Sequence, residues 1–579
     1  MNFEQFETEF LIDLKKKKKS CISKLDKNRE LLEANLGNEG NQKTINKFVN
    51  EIINLIFQTS KFNLYEKALK HPTLVNVYTS FQNSEVLIEA CKEKKKDILK
   101  WLITMSINPC IQDRNGATAL MYASKEPSLL FVVKYLASKE ECLNLLDKNN
   151  QNAIFYALPN KVILEELINT NINMNQRNIN NDTALLYCCK MGIYEPISTM
   201  VLSKNLDVNV VDNDGKTPAM YLTEQGRAAE IMSLNRRNCN FDFINSKKES
   251  VLTILIRKLY LTKDGYFANY IHVLIVLLYC GCNFNAPVDA VGNTAFMVMM
   301  IVNDSYTIYY ICKNCKSIDL SVKNHYGENA TSLLMKYKNF NSSIIDVFKN
   351  HPTFDVNYVD NKNNNNLFHL CAMVQPDLIK QIIENDVNII NSVNSKDENA
   401  LILATKYRCR EAVQQLYKYG IYVNQQDYLG NTALHYAIKL KDIYIIKSLI
   451  VNHADINIQN IEGISPLNIA HELGDKEILN VLTFPHLDSP QYFDPNSIKE
   501  NINKTIKPEE LFPETAEYLY PCIHNYYPKF EMTYPMECLE KSIYTGKIKN
   551  IEMYYACENY SPPVCYPPNN MEMFTSILF

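Results

Sequence analysis

The sequence predicts an all-α solenoid of about twelve helix-turn-helix units, with a helical N-terminal cap and a Pro- and Tyr-rich C-terminal region. Three observations carry this expectation. Asn366-Leu367-Phe368-His369, Asn399-Ala400-Leu401-Ile402, Thr432-Ala433-Leu434-His435 and Ser465-Pro466-Leu467-Asn468 share one pattern and stand 33 residues apart. In the same register one slot is apolar (Phe368, Leu401, Leu434, Leu467) and the slot three residues further on is small (Cys371, Ala404, Ala437, Ala470). Turns closed by glycine precede several units: Asp113-Arg114-Asn115-Gly116, Asp212-Asn213-Asp214-Gly215, Asp289-Ala290-Val291-Gly292, Asp427-Tyr428-Leu429-Gly430 and Asn460-Ile461-Glu462-Gly463, with Asn324 to Gly327 similar. A fixed period of this length marks a stack of units, none of which can bury its apolar face alone. A slot that stays small is where helices approach closely, and the turn glycine supplies the positive φ that other residues resist.

Taken in order, residues 1–82 read as a helical cap. Phe3, Phe6, Phe10 and Leu14 recur at helical spacing opposite Glu4, Glu7 and Asp13, and Lys15 to Lys19 follow. The favoured reading is a helix packed on its neighbours that ends in a solvated charge run. The competing readings are contact with an anionic membrane surface, or an import signal. Ile45, Phe48, Val49, Ile52, Ile53 and Ile56 form a second apolar stripe, whose natural partner is the open end of the first repeat.

Residues 83–486 form the solenoid. The first signature position is held upstream by Glu85, Thr118, Asn152, Thr183, Thr217, Ser250, Thr294 and Asn329, and the small slot by Ala90, Ala123, Ala157 and Cys188. A second helix keeps phase through Ile383, Leu416, Leu449 and Leu482, and an Asn closes several units, as in Asp207-Val208-Asn209 and Asp455-Ile456-Asn457. Between 245 and 340 the pattern loosens. The small slot fills with Leu222, Leu255, Met299 and Leu334, the unit after Ser250 is lengthened around Leu261 to Phe267, and most units lack the signature His. Altered curvature is expected there. In the run Asn363 to Asn366, Asn replaces the turn Gly, because Asn tolerates the left-handed region.

Residues 487–579 change character. Tyr518-Leu519-Tyr520-Pro521 and Pro562-Pro563-Val564-Cys565-Tyr566-Pro567-Pro568 forbid long helices. Within this region, 536–556 reads as a detached helix pair, with Ser542 in the small slot and Gly546 at the turn. The alternative is a linear Tyr/Pro ligand for other domains.

With its continuation to Tyr436-Ala437, the segment from Thr432 resembles the T-P-L-H-x-A signature of the ankyrin repeat, and the D-x-x-G turns and Asn-ended units resemble the same family. The resemblance covers the solenoid and implies a non-catalytic scaffold or adaptor for protein–protein interaction. Its partner would be gripped by a groove and by hairpin-tip side chains that the fold does not itself require. The tip candidates are Arg114, Asn115, Asn213, Asp214, His325, Tyr326, Tyr428, Leu429, Ile461 and Glu462. In this family the signature His ties a unit's loop to its own helix, which assigns His369 and His435 a structural role. Two rival functions follow from the flanks: an adaptor that recruits a ubiquitin ligase or another enzyme complex, and a peripheral membrane organiser acting through the N-terminal helix.

Composition narrows the remaining classes. At 579 residues, 46% hydrophobic and 21% charged, the chain is too long for one compact core, a difficulty that stacking removes. A net charge of -4 argues against a nucleic-acid partner. No secretory signal is expected at the start, and Tyr270 to Cys280 is too short to span a bilayer. The odd count of 17 cysteines without framework spacing points to a reducing compartment, cytoplasmic or nuclear. The best metal candidate, Cys280 and Cys282 with Cys312 and Cys315, has chelate spacing poorer than zinc wants, so no metal and no cofactor is expected. No catalytic motif assembles, and an enzyme is not expected. One or more protein partners are implied.

Overall fold

A computed structural model of the chain describes residues 2–37, 41–260, 267–336 and 342–483. The C-terminal region 487–579 with its helix pair at 536–556, and residues 261–266 of the lengthened unit, lie outside the described residues. The chain divides into two compact units, 1–248 and 249–579, a limit that falls inside the stretch read from sequence as one solenoid.

Among the described residues every regular element is a helix, and extended pairing is confined to isolated bridges across turns, such as Gln112 with Thr118 and Val393 with Asn399. In the first compact unit, helix pairs run from Val86–Lys92 with Lys96–Thr104 to Pro218–Glu224 with Ala228–Asn235; in the second, from Val251–Tyr260 with Phe267–Tyr279 to Pro466–Leu473 with Lys476–Thr483. Each of the twelve small-slot positions read from sequence is buried. Leu222, Leu255, Met299 and Leu334 occupy the same fully buried register as Ala90 or Ala437, so the loosened units keep the packing position and enlarge its occupant.

The first signature position is the helix N-cap. Side-chain oxygens of Thr183, Thr217, Asn366, Asn399 and Ser465 accept the N–H of the third helical residue at 3.3, 3.2, 3.0, 3.0 and 3.2 Å. This satisfies a donor that the helix leaves orphaned, a contribution of about 1 kcal/mol each. Glu85 departs from the pattern and makes no side-chain cap.

Among the described residues six α-helices and the 3-10 helix Pro72–Leu74 precede the repeats: α1 (Phe3–Lys15), α2 (Ser20–Lys27), α3 (Arg29–Leu36), α4 (Gln42–Phe57), α5 (Asn63–Leu69) and α6 (Val75–Gln82). Phe6, Phe10 and Leu14 are fully buried, with the Phe10 ring 5.9 Å from that of Phe48 on α4. The apolar face that membrane docking needs is therefore spent inside the protein, which removes the basis of the membrane-organiser reading. Nor are all the acids opposite it solvated. Asp13 is buried against Lys24 at 2.8 Å, and Glu7 lies 3.4 Å from Lys47. The apolar stripe of α4 packs on α1 and α6. Its expected partner, the first repeat, meets α6 instead: Phe81 lies 6.1 Å from Trp101, and Tyr78 donates to the Met105 carbonyl at 3.0 Å.

Candidate protein-binding tips

Each unit after the first presents a turn whose shape is set by two residues. The leading Asp or Asn accepts two main-chain N–H groups with one side-chain oxygen: Asp113 Oδ1 from Asn115 and Ala117 at 2.9 and 3.0 Å, Asn324 Oδ1 from Tyr326 and Glu328 at 3.0 Å each, Asp427 Oδ1 from Leu429 and Asn431 at 3.0 and 2.8 Å. The fourth residue takes a positive φ, which glycine meets at Gly430 (76°) and asparagine at Asn150 (57°) and Asn181 (64°); in the turn from Asp360, longer by one residue, Asn364 (57°) takes it, within the Asn run. At Gly430 there is a second demand. A Cβ there would stand 2.9 Å from Asn460 Cα and from the Ile461 nitrogen of the next unit.

The two residues between these fixed points carry the free side chains, and the ten candidates occupy such positions. Arg114, Asn115, Asn213, Asp214, His325, Tyr326, Tyr428, Ile461 and Glu462 are exposed, and Leu429 is half-buried. Tyr326 and Ile461 are 70% exposed and Tyr428 55%, large apolar surface that the fold does not cover. Main-chain bonds align successive tips: His325 N–H donates to the Val291 carbonyl (2.9 Å), Tyr428 to Lys396 (3.0 Å) and Ile461 to Leu429 (3.0 Å). Some candidates also have internal work. Asn213 Oδ1 accepts from Asn181 at 2.8 Å, Asp214 pairs with Lys247 at 3.3 Å, and the His325 ring lies close over Gly292.

Behind the tips runs a brace that sequence reading missed. The second carboxylate oxygen of the turn Asp accepts a Tyr hydroxyl nine residues on: Tyr122 to Asp113 at 2.8 Å, Tyr156 to Asp147 and Tyr221 to Asp212 at 2.7 Å each, and Tyr436 to Asp427. Lysines of the preceding unit join it, Lys92 to Asp113 at 2.8 Å and Lys190 to Asp212 at 3.0 Å. Burial pushes the Asp113 carboxyl up, but Lys92, the Tyr122 hydroxyl and two N–H groups outweigh it and bring the pKa down to about 2. At Asp427 burial prevails and the carboxyl is raised. The recurrent Asp-to-Tyr spacing is visible in the sequence and is the signal that finds the brace.

The signature histidines reach further than the resemblance implied. His435 Nδ1 accepts the Thr432 N–H of its own cap at 3.0 Å, which leaves the proton on Nε2, and Nε2 donates to the Ile464 carbonyl of the next unit at 3.1 Å. His369 likewise donates to Ser392 at 2.9 Å. Some units without this His use their cap asparagine: Asn399 Nδ2 donates to the Tyr422 carbonyl at 2.9 Å and Asn152 Nδ2 to that of Asn173 at 2.8 Å. The cap asparagine thus ties its helix to the closing loop of its own unit.

Cys282 and Cys312 are buried, Cys280 and Cys315 half-buried, and burial pushes the Cys280 thiol up to about 12. Among the described residues no group of three His, Cys, Asp or Glu is placed to hold a metal ion, and no helix is long and apolar enough to cross a membrane.

Comparison with known proteins agrees with this geometry. A family model of ankyrin repeats in three copies matches residues 87–178 and 333–427, and a single-repeat model matches 429–461. A protein of Acanthamoeba polyphaga mimivirus named for its ankyrin repeats is 22% identical over 391 residues, covering 65% of this chain and 40% of its own length. One of fowlpox virus (strain NVSL), similarly named, is 30% identical over 134 residues, 20% of this chain and 26% of that one. Neurogenic locus notch homolog protein 1 of Homo sapiens is 30% identical over 114 residues, 20% of this chain and 4% of that protein. The matches thus span less than half the length of these relatives. Ankyrin repeats are in general protein-interaction modules without catalysis of their own. With capped helix pairs and braced turns in both compact units, and family models matched at 87–178, 333–427 and 429–461, this chain carries ankyrin repeats.

Proposed function

We propose that the chain is a non-catalytic protein-binding scaffold that holds a partner protein on its hairpin tips, most strongly on those of residues 325–462. The observation that carries this reading is the division of labour in each turn. The leading Asp or Asn and the positive-φ residue do the folding work, while Tyr326, Tyr428 and Ile461 stay largely exposed on an aligned main chain. Aromatic and large apolar side chains held on a rigid support lose little entropy on binding and dominate interface energies. Arg114, Asn115, Asn213, Asp214 and His325 extend the candidate surface as polar rim positions, and Leu429 and Glu462 flank its strongest part.

The test is a partner identified by proximity labelling with the full chain, whose affinity is then measured against Tyr428→Ala combined with Glu462→Ala. The double variant is expected to bind at least tenfold more weakly at an unchanged melting temperature, since an interface aromatic is worth on the order of 2 kcal/mol. Unchanged affinity, together with loss of the partner on removing residues 487–579, would place recognition in the C-terminal region. That outcome is the one the recruiting-adaptor reading needs.

A further inference from the structure

The asparagines that end the repeats perform one recurring task. Their side-chain amide bridges an N–H and a C=O two residues apart in the next unit's loop. Asn175 accepts from Asp207 at 2.9 Å and donates to Asn205 at 2.7 Å. In the second compact unit Asn285 accepts from Asp319 at 2.8 Å and donates to Ser317 at 3.0 Å, and Asn424 accepts from Asp455 at 2.9 Å and donates to His453 at 3.3 Å. The amide acts as one more residue of extended main chain.

Asn357, in Asp355-Val356-Asn357, stands in this register, one repeat before Asn391, which accepts from Tyr422 at 2.8 Å. Its amide makes no such rung among the described residues. The cause lies in the next loop, where Val387–Asn391 winds into a 3-10 helix. Asn388 N–H is there consumed by Asp386 Oδ1 at 3.0 Å and Ile389 N–H by the Asp386 carbonyl at 3.3 Å. At the missing rung a cleft of about 450 Å³ opens, with His351, Asn357, Gln381, Asn385 and Asp386 on its polar side and Phe354, Val356, Ile382 and Ile389 as apolar wall. This size falls in the usual range of binding pockets. Gln381 Nε2 donates to the Lys349 carbonyl at 3.2 Å, while its Oε1 is buried with no donor. Of the charged side chains in the lining, Lys349 is ion-paired with Asp346, and the Asp386 carboxylate is engaged by the Asn388 N–H through Oδ1.

We propose that this cleft binds an extended, uncharged peptide segment of a partner protein. The segment's main chain supplies to Asn357 the N–H and C=O that the next unit supplies elsewhere. An apolar side chain of the segment rests on Phe354, Val356, Ile382 and Ile389. This is strand-like recognition by a side chain that imitates main chain, on a site none of the ten tip residues lines. It stands whether or not the tips bind a partner.

The probe is a library of random peptides displayed on phage and selected on the full chain, followed by fluorescence anisotropy of a synthetic peptide of the enriched sequence. Uncharged peptides with one apolar anchor are expected. Their affinity should fall roughly tenfold or more in Asn357→Ala and in Ile389→Lys, with melting temperatures within error of the parent. The triple tip variant Tyr326→Ala, Tyr428→Ala, Ile461→Ala should bind them as the parent does. Failure to enrich any peptide, equal affinity for Asn357→Ala, or loss confined to the tip variant would each overturn the proposal. A photo-crosslinker at position 389 that joins residues 484–579 of the same chain would overturn the assignment to a partner.

Discussion

Replacing Gly430 and Gly463 by alanine, one at a time, separates two demands that a turn glycine can meet. Both have a positive φ, 76° and 75°, so each alanine bears the left-handed penalty of about 1–2 kcal/mol. A Cβ at position 463 meets nothing within 4 Å, and the cost ends there. At position 430 it meets Asn460 Cα and the Ile461 nitrogen at 2.9 Å, and because both are main-chain atoms they yield only if the next hairpin shifts. Overpacking of this kind adds about 1–3 kcal/mol, and the shift also disturbs the Ile461 to Leu429 bond at 3.0 Å. Gly430→Ala should therefore lose about 2–5 kcal/mol and Gly463→Ala about 1–2 kcal/mol. Long repeat arrays do not unfold as one unit, so the readout is native-state hydrogen exchange of amides in Ala433–Lys439 and Pro466–Leu473. Gly430→Ala should lower protection there by roughly five- to 150-fold more than Gly463→Ala does. Equal losses would refute the close approach, and no loss in Gly463→Ala would refute the conformational requirement itself.

Ala437→Leu should overpack its helix pair at about 1–3 kcal/mol while Tyr428→Leu spares stability, as thermal unfolding of the two variants will read. Burial lowers the His435 pKa from 6.5 to about 4 against the opposing pull of the Ile464 carbonyl, and the ring is neutral while its Nδ1 accepts the Thr432 N–H. The unfolded chain binds the proton first as pH falls. The stability linked to this residue is therefore complete above about pH 6.5 and is lost progressively towards pH 4, by up to about 3 kcal/mol. His435→Gln should flatten that part of the stability-against-pH curve, and an unchanged slope would remove His435 as its source. Asn424→Ala should cost about 1–2 kcal/mol, measured by exchange in the loop around Asp455, because two bonds to that loop disappear. Asn357→Ala should cost far less, since its amide has no rung to lose.

Much of this protein is local enough to be legible without coordinates. The small slot, the capping Thr, Asn or Ser and the left-handed turn residue are each set by the chemistry of one position, and period alone propagates them along the chain. Ala437, Thr432 and Gly430 are one unit's examples, and the positions of the tip candidates follow directly from them. What acts between units was legible only in part. That His435 reaches Ile464 and that Gly430 must admit a neighbour's main chain both depend on which atoms of the following unit arrive opposite. The partner of α4 was misjudged for the same reason: an apolar stripe states a need for cover, and α6 was an equally good answer to it. The cleft at Asn357 is the limiting case, because its own motif is regular. Only the 3-10 winding of Val387–Asn391 in the next repeat, which closes its N–H groups on Asp386, decides that the rung is missing there. Sequence by itself determined the unit and its repetition, because these rest on propensity and burial within one repeat. Tertiary structure decided how each unit's unspent hydrogen-bonding groups are met, because that depends on the main-chain conformation of its neighbour.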